Sequence, residues 1–272
     1  MIGRVSEFEP FYKPLDDPEG ARFFATFSTT GPWFADVQHL GPPSALLIRA
    51  LERCARGRPD GAAMTLTRIT VEVLGPVPAG EVEVRAGVER PGRTIELLAA
   101  EMTAGGRAVL RARAWRLAVS DTTAVAVGQA EPLPGPEQAT ARPERPDGWL
   151  PGFLDAMEWR WLRGWLGTQG PGRAWMRQRV PLVDGEEPSA LQRLAVVADS
   201  ANGVAAPLDV RQWLFVNTEL TLHLHRSPTG EWIGVDAATV VGPNGAGTVS
   251  ALLFDEAGHT GRAAQSLTIR PR

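Results

Sequence analysis

The two halves of the sequence repeat one pattern, and this internal duplication limits the possible folds more than any other feature. The letters Pro-Ser-Ala-Leu open an apolar segment at Pro43 and again at Pro188, and each segment has the spacing of an amphipathic helix. Alternating stretches follow both segments, including 67–73 and 218–224, and predict β-strands. We therefore expect two copies of one unit, each with a long helix followed by antiparallel strands.

A stretch rich in Pro, Gly and Glu separates the two copies and has no apolar period, which is typical of a linker. We expect an N-terminal unit over 1–119, a linker over 120–151 and a C-terminal unit over 152–272. With one helix for each antiparallel sheet, the pattern favours an α+β arrangement in which the helix lies on one face of a curled sheet. Two tandem sheets are expected to join edge to edge, which covers edges that would otherwise be exposed.

The composition excludes several classes of function. The chain has 272 residues, of which 43% are hydrophobic, and its net charge of −3 offers no basic surface for nucleic acid. We find no secretory signal and no apolar run of membrane-spanning length, so no membrane partner is expected. A single cysteine, Cys54, excludes an internal disulfide and zinc sites built from several thiolates. We therefore expect a cytoplasmic protein without a metal or other cofactor.

The helix in the second copy contains a carboxylate where apolar packing would not favour one. Ser189 and Gln192 form a capping box that starts this helix, and Gly203 is expected to end it in a left-handed conformation. Asp199 lies in the last turns, near the negative end of the helix dipole and beside valines that would desolvate its charge. A partly exposed Asp on the helix flank is the commoner explanation for a lone acidic residue.

Comparison of the two copies favours a buried polar pair in the second one. Asp199 stands at the position of Cys54, and Gln265 on the final strand stands at the position of Ala112. Two polar groups in one core each cost about 1–3 kcal/mol or more unless they satisfy each other or a bound water. We therefore expect the two side chains to meet.

Thr218 is expected to join this pair, because side-chain alternation puts it on the same strand face as Leu220, Leu222 and Leu224. A carboxylate, a hydroxyl and an amide around a water can orient the water and accept its proton, which is hydrolysis without a covalent nucleophile. A polar network that only fixes the helix to the sheet is an equally good interpretation.

Several segments resemble a known family. The first half carries FFATFSTTGPWFADVQHLGPPSALLIRALER, TRITVEVLGPVPAGEVEV and GRAVLRARAWRL; the second carries PLVDGEEPSALQRLAVVADSANG, NTELTLHLHRSPTGEWIGVDA and GRAAQSLTIRP. Together they resemble acyl-CoA thioesterases of the double hot-dog type, the thioesterase II (TesB-like) family, over nearly the whole chain apart from the linker. The resemblance implies a double hot-dog fold and hydrolysis of a fatty acyl or related acyl-CoA thioester.

The resemblance also implies site residues. In that family an Asp on the second helix, a Thr or Ser on the following strand and a Gln on the last strand position the attacking water. Asp199 and Gln265 match the first and the last of these. Alignment on the His-Arg pair at the strand end places Asn217 at the middle position, whereas side-chain alternation favours Thr218, and both remain candidates.

This chain departs from its relatives before the first helix, where they commonly carry His-Gly-Gly and it reads His39-Leu-Gly-Pro-Pro. Since proline has no N–H, the donors that would polarise a thioester carbonyl are expected from Ser44 onward or at the start of the Ser189 helix. A His just before a helix can lie at the mouth of a pocket, but we expect His39 to cap the helix or to face solvent.

The leading interpretation is therefore an acyl-CoA thioesterase with an acyl-CoA substrate, expected to form a homodimer. The second is a non-catalytic protein of the same fold that binds acyl thioesters. The third is a hydratase of the same fold, ranked last because the Asp and His pairing that such enzymes use is missing near Asp199. The sequence contains no Gly-x-Ser-x-Gly turn, so a serine hydrolase is not supported. It also contains no Gly-x-Gly-x-x-Gly motif between a strand and a helix, so a dinucleotide-binding fold is not supported.

Overall fold

The computed structural model describes residues 8–54, 63–142 and 145–272. Residues 1–7 and 55–62 of the predicted N-terminal unit, and residues 143–144 of the predicted linker, lie outside the described residues. The first half contains β1 (Tyr12–Pro14), β2 (Arg22–Ala25), α1 (Gly41–Cys54), β3 (Met64–Val73), β4 (Gly80–Arg90), β5 (Ile95–Ala104) and β6 (Arg107–Ala118).

The rest of the chain contains the following helices and strands: β7 (Thr140–Ala141), α2 (Phe153–Ala156), β8 (Met157–Arg163), β9 (Gly172–Gln178), α3 (Ala190–Ala198), α4 (Ala201–Val204), β10 (Trp213–Asn217), β11 (Glu219–Leu224), β12 (Ile233–Val241), β13 (Ala246–Asp255) and β14 (Gly258–Pro271). Among the described helices, none has both the length and the apolar character needed to cross a membrane.

In the described residues, the strands pair into one antiparallel sheet with the order β1-β2-β4-β5-β6-β3-β11-β14-β13-β12-β9-β8-β7, and β10 also pairs with β14. The two halves meet where β3 pairs with β11, and there Thr70 lies opposite Thr221. The hydroxyl oxygens of Thr221 and Thr70 lie 3.1 Å apart, within hydrogen-bond distance. The expected edge-to-edge joining of the two sheets is confirmed, and it pairs two edges that would otherwise expose N–H and C=O groups.

The helices α1 and α3 pack against each other as well as against the sheet. α1 contacts β4 and β5, and α3 contacts β9 and β12. The two helices run antiparallel, because Gly41 at the start of α1 lies against Val196 near the end of α3, while Ser189 before α3 donates to Glu52 near the end of α1 at 2.8 Å. A Cβ on Gly41 would lie only 2.3 Å from the carbonyl oxygen of Val196. Glycine thus permits the close approach of the two helices.

The second helix has the predicted N-cap residue, but its end is not as predicted. Ser189 is the N-cap of α3 and its hydroxyl accepts from the Gln192 N–H at 3.1 Å. The helix ends at Ala198, and the expectation that Gly203 ends it is wrong because Gly203 lies inside α4 with an ordinary negative φ. The break has a physical cause at Asp199, whose carbonyl accepts a hydrogen bond from the Gln265 side chain at 3.0 Å.

The predicted linker packs on the second half of the chain. Leu133 contacts a small apolar cluster formed by Trp175, Trp232 and Phe254, and the Trp175 indole donates to the carbonyl of the neighbouring Pro134 at 2.7 Å. In the same region the Ala130 N–H donates to Nδ1 of the buried His259 at 3.2 Å. Burial, and to a lesser extent the neighbouring His225, lowers the pKa of His259, which keeps Nδ1 available as an acceptor. The segment is therefore held in place over part of its length.

Replacement of Gly41 by Ala is expected to lower the free energy of unfolding by about 1–3 kcal/mol, because the added methyl group forces α1 away from α3. Gly203→Ala is the matched control, since a Cβ there meets nothing within 4 Å and alanine favours the helix. Urea unfolding of both variants followed by circular dichroism measures the difference. Equal stability of the two variants would show that the Gly41 contact does not limit the packing.

Candidate active site

Asp199 is the centre of a buried polar cluster at the break between α3 and α4. Its side chain is 5% exposed, so the carboxylate is nearly removed from water. Oδ1 accepts from the Asn217 amide at 2.8 Å and from the Gln265 amide at 3.3 Å, and Oδ2 lies 2.9 Å from Nδ1 of His39. The three partners come from β10, β14 and the loop before α1. The turn after Ala198 thus brings one carboxylate into contact with elements of both halves.

Gln265 and Asp199 meet as the comparison of the two copies predicts. Gln265 is 1% exposed and lies opposite Val249 of β13, with its side chain turned toward the helices. Its Nε2 donates to both the carbonyl and the carboxylate of Asp199, which fixes the side chain at the helix break. Among the described residues its Oε1 has no hydrogen-bond partner, so this buried acceptor remains available to a water.

The middle position is filled by Asn217, and the structure places Thr218 outside the cluster. Asn217 pairs with Leu267, whereas Thr221 pairs with Ala264, so β10 and β11 together contain one residue more than the facing part of β14. Thr218 is this extra residue, and it lies between the two strands like the residue of a β-bulge. Because of this extra residue, side-chain alternation counted back from Leu220 assigns Thr218 to the wrong face of the sheet. Its side chain is exposed and its hydroxyl donates to the Ser266 carbonyl at 3.3 Å.

His39 completes the cluster, although the sequence predicts a capping or solvent-facing role for it. Its ring stacks on Phe153, with 3.8 Å between ring centroids and an angle of 8° between the ring planes. Its backbone N–H donates to the Thr29 carbonyl at 2.7 Å. The Gly41 N–H also approaches Nδ1, at 3.3 Å. Both contacts cannot be hydrogen bonds at once, and we favour the shorter one, in which Nδ1–H donates to the Asp199 carboxylate.

A buried tyrosine supports the loop that carries His39. The Tyr12 hydroxyl donates to Oε1 of Gln38 at 2.6 Å, and Nε2 of Gln38 donates to the Pro78 carbonyl at 2.8 Å. Burial raises the pKa of Tyr12 well above its usual value, so this hydroxyl keeps its proton and remains a donor. Gln38, the residue before His39, is therefore fixed by hydrogen bonds to both Tyr12 and Pro78.

A narrow cavity of about 40 Å³ lies beside the cluster and reaches His39 and Ser200. Its remaining lining residues are Pro32, Trp33, Trp149, Leu154, Trp159, Leu166, Asn202, Gly203, Ala206, Val210 and Phe215. The Ser200 hydroxyl is buried and has no hydrogen-bond partner in the part of the chain that the structure describes. Because Nδ1 of His39 is engaged by Asp199, Nε2 is the ring nitrogen that remains for a molecule in the cavity.

The opposite end of the helix pair is linked by charged and polar side chains instead. Glu52 of α1 accepts from Ser189 at 2.8 Å and from the Gln192 amide at 2.6 Å. Arg49 donates two hydrogen bonds to Glu186, at 2.6 and 2.7 Å, and chiefly this interaction holds the pKa of Glu186 below its usual value. Within the described ranges, no group of three or more His, Cys, Asp or Glu side chains is arranged to hold a metal ion.

Two family models match the chain. The model of the acyl-CoA thioesterase N-terminal domain matches residues 29–117, and the model of the acyl-CoA thioesterase C-terminal domain matches residues 136–269. The second match begins inside the predicted linker. Among curated proteins, no sequence matches this chain.

Solved structures resemble the chain in fold at low sequence identity. A conserved hot-dog-fold protein from Alicyclobacillus acidocaldarius has a TM-score of 0.70 and 13% identity, with 93% of this chain and 94% of that chain covered. The tesB protein of Mycobacterium avium subs paratuberculosis has a TM-score of 0.66 and 15% identity, with 92% and 94% covered. Acyl-CoA thioesterase II TesB2 from Mycobacterium marinum has a TM-score of 0.63 and 13% identity, with 94% and 96% covered.

The different environments of Asn217 and Thr218 predict different effects on stability. We expect Asn217→Ala to lower the free energy of unfolding by about 1–3 kcal/mol, because the buried carboxylate of Asp199 loses a donor. Thr218→Ala is the neighbouring control and is expected to change it by less than about 0.5 kcal/mol, since its side chain is exposed. Chemical denaturation of the two variants compares them, and a larger loss for Thr218→Ala would contradict the observed bulge.

Proposed function

Because the chain belongs to the acyl-CoA thioesterase family and is therefore a thioester hydrolase, we propose that it hydrolyses an acyl-CoA at the His39–Asp199 pair. The products are the free acid and CoA. The observation that carries the proposal is the convergence of His39, Asn217 and Gln265 on one buried carboxylate next to a cavity. We also propose the division into units at 1–119 and 152–272, and a homodimer as the assembly.

His39 is the general base in this proposal. It lines the cavity, whereas Asp199, Asn217 and Gln265 lie behind it. With Nδ1–H donated to Asp199, Nε2 carries a lone pair that accepts a proton from a water as the water oxygen attacks the thioester carbonyl. The carbon–sulfur bond then breaks, and the thiolate of CoA takes the proton back from Nε2. The imidazolium formed between these steps is stabilised by the carboxylate, which lies 2.9 Å from the ring.

Asp199 orients His39 and is itself held by the two amides. A buried carboxylate without partners would be costly, and hydrogen bonds from Asn217 and Gln265 offset part of its desolvation. The same bonds fix the direction of Oδ2 toward the ring. This assignment differs from the expectation that Asp199 binds the water directly, and it follows from which residues line the cavity.

Ser200 is the donor that we assign to the thioester carbonyl. Donors to this carbonyl are expected from Ser44 onward, but the Ser44 N–H already donates to the Leu40 carbonyl at 3.0 Å. The helix start at Ser189 lies at the far end of α3 from Asp199. The hydroxyl of Ser200 is buried, lines the cavity and is without a partner among the described residues, which suits it to stabilise the charge that develops on the carbonyl oxygen.

Asp199→Asn is expected to lower kcat by about 10²–10⁴-fold, because the amide neither orients the neutral imidazole correctly nor stabilises its charged form. CoA release from acyl-CoA substrates, followed with a thiol reagent, measures the effect. Asp236→Asn is the control, since this carboxylate pairs with Arg173 at 2.9 Å away from the cavity. Unchanged turnover in the Asp199 variant would overturn the mechanism.

A second substitution decides which residue takes the proton. Gln in place of His39 keeps an amide donor for Asp199 but has no basic nitrogen, so we expect a loss as large as that of Asp199→Asn. The double variant should be little slower than either single one, because the two residues act as a unit. A much smaller loss for His39→Gln would assign the proton transfer to Asp199 instead.

Hydration of an enoyl thioester is the second candidate function. The ground for ranking it last was the missing His near Asp199, and the 2.9 Å contact with His39 removes that ground. Crotonyl-CoA distinguishes the two candidate functions. A hydratase removes its enoyl absorbance without releasing thiol, whereas a thioesterase releases thiol. A protein that only binds acyl thioesters would do neither, and its binding would be seen by calorimetry.

A further inference from the structure

We propose that the cavity beside His39 is the acyl site and that it limits the substrate to acyl groups of about four carbons or fewer. This inference rests on the proposed thioester hydrolysis and names its substrate class. It narrows the substrate that the resemblance implies, a fatty acyl or related acyl-CoA thioester. Three observations carry it: the direction of the cavity, the chemistry of its walls and its size.

The burial of the lining residues gives the cavity a direction. Leu154, Trp159 and Leu166 are between 3% and 4% exposed and form its deep end. Trp33 is 38% exposed and marks the mouth, and its ring contacts that of Trp149 with 4.8 Å between ring centroids. A substrate that enters at this mouth reaches His39 and Ser200 with its acyl end directed toward the three deep residues.

The charge at the mouth favours the same orientation. The guanidinium of Arg272 lies 5.7 Å from the centroid of the Trp33 ring, and its Nε donates to the Val210 carbonyl at 2.6 Å. This places a positive charge at the mouth and leaves the deep end without one. CoA carries its phosphates at the end opposite the acyl group, so its anionic part suits the mouth.

The walls of the cavity favour an acyl group over the pantetheine arm. Its deep end consists of aliphatic and aromatic side chains, and the indole N–H of Trp159 is already donated to the Leu154 carbonyl at 2.9 Å. Pantetheine contains two amides, whose burial without partners would be costly. A short hydrocarbon chain needs no such partners.

The size of the cavity sets the chain length. The cavity volume of about 40 Å³ is far below the roughly 300–1,000 Å³ of pockets that hold larger ligands, so only the first few carbons of an acyl chain fit. The deep end is also rigid, because Trp159 is fixed by its hydrogen bond and stacks on Trp161 with 5.9 Å between ring centroids. A longer chain would have to displace packed core residues.

The test is a series of saturated acyl-CoAs from acetyl to palmitoyl, with kcat/KM measured from thiol release. We expect similar values for acetyl-, propionyl- and butyryl-CoA and a fall of at least tenfold between butyryl- and octanoyl-CoA. Equal or better hydrolysis of octanoyl- and palmitoyl-CoA would overturn the inference while the proposed function stands. Failure to release thiol from any substrate would overturn the proposed function itself.

Leu166→Ala tests the deep wall directly, because the truncation lengthens the cavity without removing a hydrogen bond. We expect the ratio of octanoyl- to butyryl-CoA hydrolysis to rise about tenfold in this variant. Leu98→Ala is the matched control, since Leu98 is fully buried in the first half and does not line the cavity. Both truncations destabilise the core, so an equal shift in both variants, or no shift in Leu166→Ala, would contradict the assignment.

Discussion

The contact between α1 and α3 is the constraint on which the site depends. The backbones of the two helices are in contact at Gly41 and Val196, and any side chain at Gly41 would push the helices apart. His39 precedes one helix and Asp199 follows the other, so this contact brings residues from the two halves within 2.9 Å of each other. At the other end of the pair, Glu52 and Ser189 hold the antiparallel alignment. The geometry of the site therefore depends on the packing of the two helices.

A buried carboxylate requires partners, and here the partners also determine the local backbone. Gln265 donates to the Asp199 carbonyl as well as to its carboxylate, and the helix ends at this residue. The break turns Asp199 toward His39 and leaves Ser200 at the cavity. The energetic cost of a charge in the core is thus offset by an arrangement that also orients the imidazole and supplies a hydroxyl.

Much of this could be predicted from the sequence because the chain contains two copies of one pattern. The substitution of Asp199 for Cys54 and of Gln265 for Ala112 pointed to a shared polar site, and the two side chains do meet. Thr218 was misplaced because one extra residue in a strand reverses side-chain alternation, and no sequence period reveals a bulge. The sequence predicted only a capping or solvent-facing role for His39, although members of the thioesterase II family commonly carry a His at this position.

The sequence by itself determined the repeat, the start of α3 at Ser189 and the two polar substitutions, because helix caps, strand alternation and burial preferences act locally. Only the tertiary structure decided that Asn217 is the second amide beside Gln265, that His39 pairs with Asp199, and what shape the cavity has. These depend on the register of β10 on β14 and on how closely two helices approach, which are sums of many contacts between residues far apart in the chain.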